Sequence, residues 1–222
     1  MTPGAPDWPE RGPARITPGS RRDVGLVGWG ISRASGLVSG TTPPNLFLTL
    51  GRHRPLFRGW LRVAGRLMPG GTLPRRDTEL VILRVAVLSG CRYEFEHHVR
   101  LGATAGVTEA DVGRLVAGPE ADGWTDRERA ILGAVDALHH ERDLDDATWS
   151  ALRAHLDERK VIEVCLLAGH YEMLATTINT LRIQPDAPSA DRLPGSLAAI
   201  AERVVSRGAG RPHPRDPGAR HG

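Results

Sequence analysis

The feature that most constrains the fold is an apolar helix that carries charged groups. Residues 80–88 read Leu-Val-Ile-Leu-Arg-Val-Ala-Val-Leu, apolar on every helical face except at Arg84, so this helix has to be buried on most sides. Glu79 stands at its head. A buried carboxylate is costly unless it is paired, hydrogen-bonded or protonated. Glu79 is therefore predicted to have either a partner or a chemical role.

A second helix is predicted after Gly90, and one of its faces carries reactive groups. At i, i+3, i+4 and i+7 this face holds Cys91, Glu94, Phe95 and His98. If the helix begins near Gly90, the thiol lies in its first turn, where free N–H groups favour a thiolate. A bend at Gly90 that folds the two helices together would bring Glu79 towards this face.

These residues resemble the core of the carboxymuconolactone decarboxylase and alkyl hydroperoxidase D-like family. The family pattern is a Glu at the head of a buried helix, a Cys twelve residues on, a Cys or Glu three further, and a His seven beyond the first Cys. The matching positions, which the resemblance marks as catalytic, are Glu79, Cys91, Glu94 and His98. The resemblance runs from about Pro44 to about Ile183. It implies an all-α, single-domain helical bundle with no cofactor or metal, which forms a homo-oligomer (dimer, trimer or larger ring).

Three functions are compatible with this resemblance. The first is cofactor-free acid/base chemistry, a decarboxylation or isomerisation of a small carboxylated or lactone substrate, since a partly buried carboxylate beside an imidazole suits proton transfer. The second is hydroperoxide reduction by Cys91 as a one-cysteine thiol peroxidase. The dithiol enzymes of the family need C-x-x-C, whereas Glu94 takes the place of the resolving thiol here. The third is a non-catalytic oligomeric protein. We favour the first.

Three further side chains are candidates for substrate binding: Arg84, Tyr93 and His170. For Arg84 the alternative is an ion pair with an acid from another helix or subunit, because a cation in an apolar helix needs a partner. Cys165, flanked by apolar residues, is interpreted as a small buried hydrophobe. His97 lies about 100° from His98 around the helix and is interpreted as a surface or capping group.

The remaining chain predicts helices and no strands. Helices are expected at 45–50 and 54–67, from an N-cap at Thr108, from an N-cap at Thr125, and after Asp145. A second heavily apolar helix, near 160–182, is expected to pack centrally against that near 78–89. Residues 44–184 would form the domain, residues 23–43 an irregular covering segment, and residues 1–22 and 185–222 disordered Pro- and Arg-rich tails. Gly25, Gly28 and Gly30 fail the dinucleotide fingerprint because no strand precedes them.

Charge and composition limit the kinds of partner that the protein is expected to bind. The net charge of +3 comes from arginines in the two tails, and no basic and aromatic platform accompanies them, so nucleic acid is not an expected partner. Two cysteines exclude a disulfide framework, and the N-terminus lacks a secretory signal, so a cytoplasmic location is expected. Residues 80–88 are too few to cross a bilayer. The expected partners are a small-molecule substrate and further copies of the chain, with no membrane.

Overall fold

The computed structural model describes residues 6–189, which fold into helices joined by short loops. In chain order these are α1 Arg21–Ser39, α2 Asn45–Leu50, α3 Arg54–Leu67, α4 Arg75–Leu88, α5 Arg92–Thr104, α6 Glu109–Ala117, α7 Asp126–His140, α8 Asp146–His155 and α9 Glu158–Leu181. No strand forms within 6–189, where the only β-type pairing is an isolated bridge between Thr41 and Pro188. The predicted all-α class is confirmed.

Helix α4 is the centre of the bundle because it has apolar side chains on opposite faces. Val81, Ile82 and Val85 pack into a cluster with α7, α8 and α9. Leu80 and Leu83 pack into a second cluster with residues of α5, α6 and α7. The predicted central pairing of α4 with α9 is thus confirmed.

The amphipathic helices begin where the sequence predicts. The hydroxyl of Thr108 accepts from the Asp111 N–H, and the Asp111 carboxylate accepts from the Thr108 N–H, which closes a capping box at α6. Thr125 and Glu128 form a second capping box at the start of α7. These caps pair N–H groups that a helix would otherwise leave without partners.

Helix α9 combines length with a strongly apolar composition. By these criteria it is the one helix in the described range that could cross a bilayer, but 56% of its apolar window is buried inside the domain. The central helix of a helical bundle meets the same criteria. Its buried position accounts for its composition.

Residues 23–43 are not the irregular segment that we predicted. Most of them belong to α1, which begins at a capping box between Ser20 and Asp23 and contains a kink at Gly25. Its glycines are compatible with a helix because they allow close packing. A Cβ at Gly36 would lie 2.8 Å from the carbonyl oxygens of Thr41 and Thr42. Small residues here serve helix packing rather than disorder.

The prediction of a disordered N-terminal tail is wrong for residues 6–22. Trp8 packs against Phe95 with ring centroids 5.1 Å apart, and the Arg15 N–H donates to the Leu181 carbonyl at 3.0 Å. A few anchoring side chains hold this Pro-rich segment, which average composition does not reveal.

The start of the predicted C-terminal tail is also ordered. Asp186 accepts hydrogen bonds from the Asn45 N–H at 2.8 Å and from the Tyr93 hydroxyl at 2.7 Å. The rest of that prediction, residues 190–222, lies outside the described residues, as do residues 1–5.

Candidate active site

The turn between α4 and α5 brings Glu79 onto the reactive face of α5. Gly90 adopts a positive φ of 56°, which suits glycine, and the chain then reverses into α5. The Glu79 Oε2 atom lies 2.8 Å from Nδ1 of His98. Close packing assists this approach, since a Cβ at Gly102 would already lie 3.6 Å from the Glu79 Cβ.

Glu79 is buried and fully paired. Its second oxygen, Oε1, accepts a hydrogen bond from Nε of Arg75 at 2.8 Å. The side chain is 0% exposed, and that of His98 is 5% exposed. The carboxylate therefore fixes the orientation of the imidazole, as carboxylates commonly do for functional histidines.

Cys91 lies at the N-cap of α5 rather than in its first turn. The residue is fully buried. Burial raises the pKa of the thiol above its ordinary value, and Glu94 raises this pKa further whenever its carboxyl group is ionised. The thiolate that a helix N-terminus would favour is therefore opposed by the surroundings of the sulfur.

Glu94 differs from Glu79 in having no N–H or O–H donor among the described residues, and only the weakly donating Cys91 thiol interacts with it. Both of its carboxyl oxygens are buried. Burial raises its pKa well above the ordinary value, and the interaction with the Cys91 thiol, which lowers this pKa, does not offset the effect. Burial therefore favours the neutral carboxylic acid over the carboxylate at Glu94.

The reactive face opens onto a cavity of about 720 Å³. Helices α1, α3, α5 and α9 enclose it, mostly with apolar side chains. Its polar lining includes Glu94, His98 and Arg75. Cys91 and Glu79 do not line it, because they lie behind Glu94 and His98. A chamber of this size is typical of small-molecule sites.

Two of the three predicted substrate-binding residues line this cavity. Tyr93 stacks parallel to His97, and His170 stacks parallel to Trp60. Burial lowers the pKa of His170 to about 4, so this imidazole is neutral at neutral pH.

Arg84 lies elsewhere. Its Nε and Nη2 atoms donate to the two carboxylate oxygens of Asp136, both at 2.6 Å, and Nη1 donates to the Leu115 carbonyl. Arg84 therefore forms an ion pair with an acid on another helix, which was the alternative to substrate binding. It is not part of the proposed substrate site.

The sequence suggested a pocket-lining role for Tyr171 together with His170, but it did not identify His97 as part of the cavity wall. His97, interpreted as a surface group, lines the cavity beside Tyr93. Its accessible part faces this chamber, and burial lowers its pKa to about 3. Tyr171 packs edge-on against His98, with ring centroids 5.1 Å apart. The i, i+4 spacing of Tyr93 and His97 was the available signal for His97.

Within the described range, no group of three or more His, Cys, Asp or Glu side chains is placed to hold a metal ion. The two thiols are both free. Cys165 is partly exposed and lines a different, surface groove between α3 and α9.

Comparison with known proteins is consistent with this geometry. Residues 54–137 match the carboxymuconolactone decarboxylase family. No curated protein sequence matches the chain significantly.

Several solved structures share the fold. The debrominase Bmp8 is 18% identical, with a TM-score of 0.67 over 88% of this chain and 97% of that chain. It has also been solved as a cysteine-to-alanine variant with 2,3,4-tribromopyrrole. An Agrobacterium tumefaciens protein of unknown function, described as a putative antioxidant defence protein AhpD, is 22% identical, with a TM-score of 0.56 over 60% of this chain and 91% of that chain.

A third similar structure is an uncharacterized peroxidase-related protein from Ralstonia eutropha JMP134 with an alkylhydroperoxidase AhpD core. It is 20% identical, with a TM-score of 0.60 over 74% of this chain and 85% of that chain. At these identities the structures establish the shared fold, while the family match covers α3 to α7 and contains Glu79, Cys91, Glu94 and His98. Residues 54–137 of this chain thus match the carboxymuconolactone decarboxylase family, and the helical domain shares its fold with alkyl hydroperoxidase D-like proteins.

Proposed function

We propose that the protein is a carboxymuconolactone decarboxylase-like enzyme that carries out cofactor-free acid/base chemistry on a small molecule in the 720 Å³ cavity. The observation that carries this proposal is Glu94. It is a buried carboxyl group without a cation or an N–H or O–H donor among residues 6–189, and it lines a cavity of substrate size. Leaving a buried polar group unpaired is costly, so such groups are often functional.

Glu94 is suited to be the general acid. A neutral carboxylic acid can donate its proton, or a hydrogen bond, to a substrate oxygen that gains negative charge. Burial maintains the neutral form. The substrate would provide the partner that Glu94 lacks in the free protein.

His98 is suited to be the general base. It lies one helical turn from Glu94 on the same face of α5 and lines the same cavity. Its Nδ1 atom is held by Glu79, which leaves Nε2 as the nitrogen for a substrate proton. In a decarboxylation or isomerisation, His98 would remove or return a proton at carbon while Glu94 stabilises the adjacent oxygen.

Cys91 acts through Glu94 in this scheme. The thiol does not line the cavity, but it interacts with the Glu94 carboxyl group from behind. As a weakly acidic group it positions Glu94 and need not form a covalent bond with the substrate. A serine at this position would preserve a hydrogen-bonding group.

The thiol-peroxidase alternative is less well supported. A peroxide has to reach a thiolate, whereas Cys91 is buried, has a raised pKa and lies behind Glu94. Cys165, the only other thiol, does not line this cavity but lines the adjoining groove between α3 and α9. The debrominase Bmp8 shares the fold, and a thiol reaction of any kind here would meet the same obstacle at Cys91.

The proposal is tested by proton exchange at carbon. A panel of small lactones and carboxylic acids is incubated with the protein in deuterated water, and carbon-bound deuterium and decarboxylation are followed by NMR. Glu94→Gln keeps the shape of the side chain and removes the acid, so turnover should fall by about 10²–10⁴-fold. Cys91→Ser should lose less than about tenfold.

Two results would contradict the proposal. If Cys91→Ser abolishes all activity while Glu94→Gln reduces hydroperoxides as fast as the natural protein, the thiol peroxidase replaces it. If no compound in the panel is turned over or exchanges at carbon, the non-catalytic alternative replaces it.

We further propose a cytoplasmic homo-oligomer of at least two chains. Apolar side chains on α3 and α9 are exposed along the second groove: Leu56, Val63, Leu166 and Met173. A second copy that covered them would remove this apolar area from water. Light scattering that gives 24.0 kDa at micromolar concentration would contradict this.

A further inference from the structure

The outward face of α3 places arginines at the mouth of the cavity. Arg58 and Arg62 are both exposed and both line the cavity. They stand at i and i+4, so their side chains are neighbours on one helical face. Helix α3 contains no acidic residue. Two like charges at this spacing destabilise a helix slightly, so stability does not explain the pair.

These two guanidinium groups have no protein partner. Neither forms a hydrogen bond or ion pair with any residue in the range 6–189, whereas Arg54 on the same helix donates to the Asp23 carbonyl at 2.7 Å. Among the described residues, Glu94 is the only one with a carboxyl group in the cavity wall. No fixed negative charge in the cavity wall therefore competes for these arginines.

The interior of the cavity has the opposite character. Aromatic and aliphatic side chains form most of its wall, among them Phe47, Trp60, Tyr171 and Leu174. His97 and His170 are neutral at neutral pH because burial lowers the pKa of each, to about 3 and about 4. The chamber therefore suits an apolar, planar body.

We propose that the cavity binds an amphipathic anion, whose apolar ring-like body fills the chamber while its carboxylate or other anionic group is held by Arg58 and Arg62. Guanidinium groups suit this task because their fixed donors match the geometry of an oxyanion. The inference rests on the proposed function only in taking this cavity as the substrate chamber. It specifies the substrate as two-part, with an apolar portion near Glu94 and His98 and a charged portion at the mouth.

Binding of two fluorescent probes tests this inference without any turnover. The probes are 8-anilinonaphthalene-1-sulfonate and N-phenyl-1-naphthylamine, which share one ring system and differ by the sulfonate. The Arg58→Gln/Arg62→Gln double variant should bind the sulfonate probe about tenfold more weakly, and the neutral probe within about twofold of the natural protein. The loss should shrink at high salt, because ions screen exposed charges.

Two controls fix the site of binding. Arg66→Gln removes a charge from the same helix, but Arg66 does not line this cavity, so both probes should bind it as they bind the natural protein. Ala34→Trp places a large side chain in the cavity wall and should weaken both probes. Circular dichroism checks that each variant keeps its helices.

The results separate this inference from the proposed function. Equal loss of both probes in the double variant, an Arg66→Gln effect as large as that of the double variant, or binding that Ala34→Trp leaves unchanged would each overturn the anion site. None of these results depends on Glu94, so the acid/base proposal is tested independently by the proton-exchange assay.

Discussion

Two buried acidic regions of this domain differ in how their carboxyl groups are paired. At the junction of α4, α6 and α7, Arg76 donates to Asp111 through Nη1 and to Glu128 through Nε, both at 2.8 Å. At the cavity, Glu94 has neither a cation nor an N–H or O–H donor among the described residues, and only the Cys91 thiol interacts with it. Both regions are largely removed from water, so the difference lies in the partners.

The pKa values shift in opposite directions for this reason. Burial raises the pKa of Asp111, but hydrogen bonds from Arg76 and Thr108 outweigh it and keep that pKa below the ordinary value. The pKa of Glu128 is likewise lowered by Thr125 and Arg76 against the effect of burial. At Glu94 burial outweighs the interaction that lowers the pKa, so the pKa is raised. A paired buried acid joins helices together, whereas an unpaired one is available for chemistry.

The largest expected effect on stability comes from breaking the paired region. Arg76→Gln leaves the buried Glu128 carboxylate without its cation, whereas Asp111 keeps Arg114, so the free energy of unfolding should fall by about 3 kcal/mol at pH 7. Urea denaturation measures this. The matched control is Arg92→Gln, since Arg92 pairs with Glu96 at the exposed surface and its loss should cost less than about 1 kcal/mol.

The pH dependence gives a second check on Arg76. The lowered pKa values of Asp111 and Glu128 stabilise the fold above their ordinary values of 3.8 and 4.5, and this contribution is lost as pH falls through the folded-state values. The loss of stability in Arg76→Gln should therefore become smaller at acid pH. Equal effects of Arg76→Gln and Arg92→Gln at pH 7 would mean that the α4–α6–α7 network does not stabilise the fold.

A smaller effect, of opposite sign, is expected at the unpaired region. Glu94 has a raised pKa in the folded state, so its contribution to stability is full below the ordinary value of 4.5 and is lost as pH rises towards the folded-state value. Glu94→Gln removes this penalty. The variant should be more stable than the natural protein above pH 4.5, and the difference should grow with pH while Glu94 stays neutral.

Urea denaturation of both proteins at several pH values between 5 and 8 measures the difference. His97 and His170 contribute equally to the pH dependence of stability in both proteins, so their contributions cancel in the difference between the two. A Glu94→Gln variant that is less stable than the natural protein across this range would show that the carboxylate has an ionic partner in solution.

The sequence was most informative where a local pattern determines the structure. Capping residues and apolar periodicity predicted α2, α3 and the starts of α6 and α7, because these signals act within one helical turn. The proximity of Glu79 and His98 also follows from a local cause, the reversal of the chain at Gly90.

The features that were missed depend on contacts distant in the chain. α1 is stabilised by close packing of small residues against the following loop, so its glycine content alone predicted no helix. Asp136, which pairs with Arg84, lies 52 residues away in sequence. The cavity and its mouth likewise arise only when α1, α3, α5 and α9 come together, which no single-segment pattern reports.

Infrared spectroscopy shows whether Glu94 is protonated at neutral pH, as its proposed role as general acid requires. A protonated carboxyl group has a C=O stretching band well separated from that of a carboxylate. The natural protein at pH 7 should show one protonated-carboxyl band that is absent from Glu94→Gln and present in Glu79→Gln, since Glu79 is paired with Arg75. A natural protein at pH 7 without such a band, or with one that Glu94→Gln retains, would contradict the account.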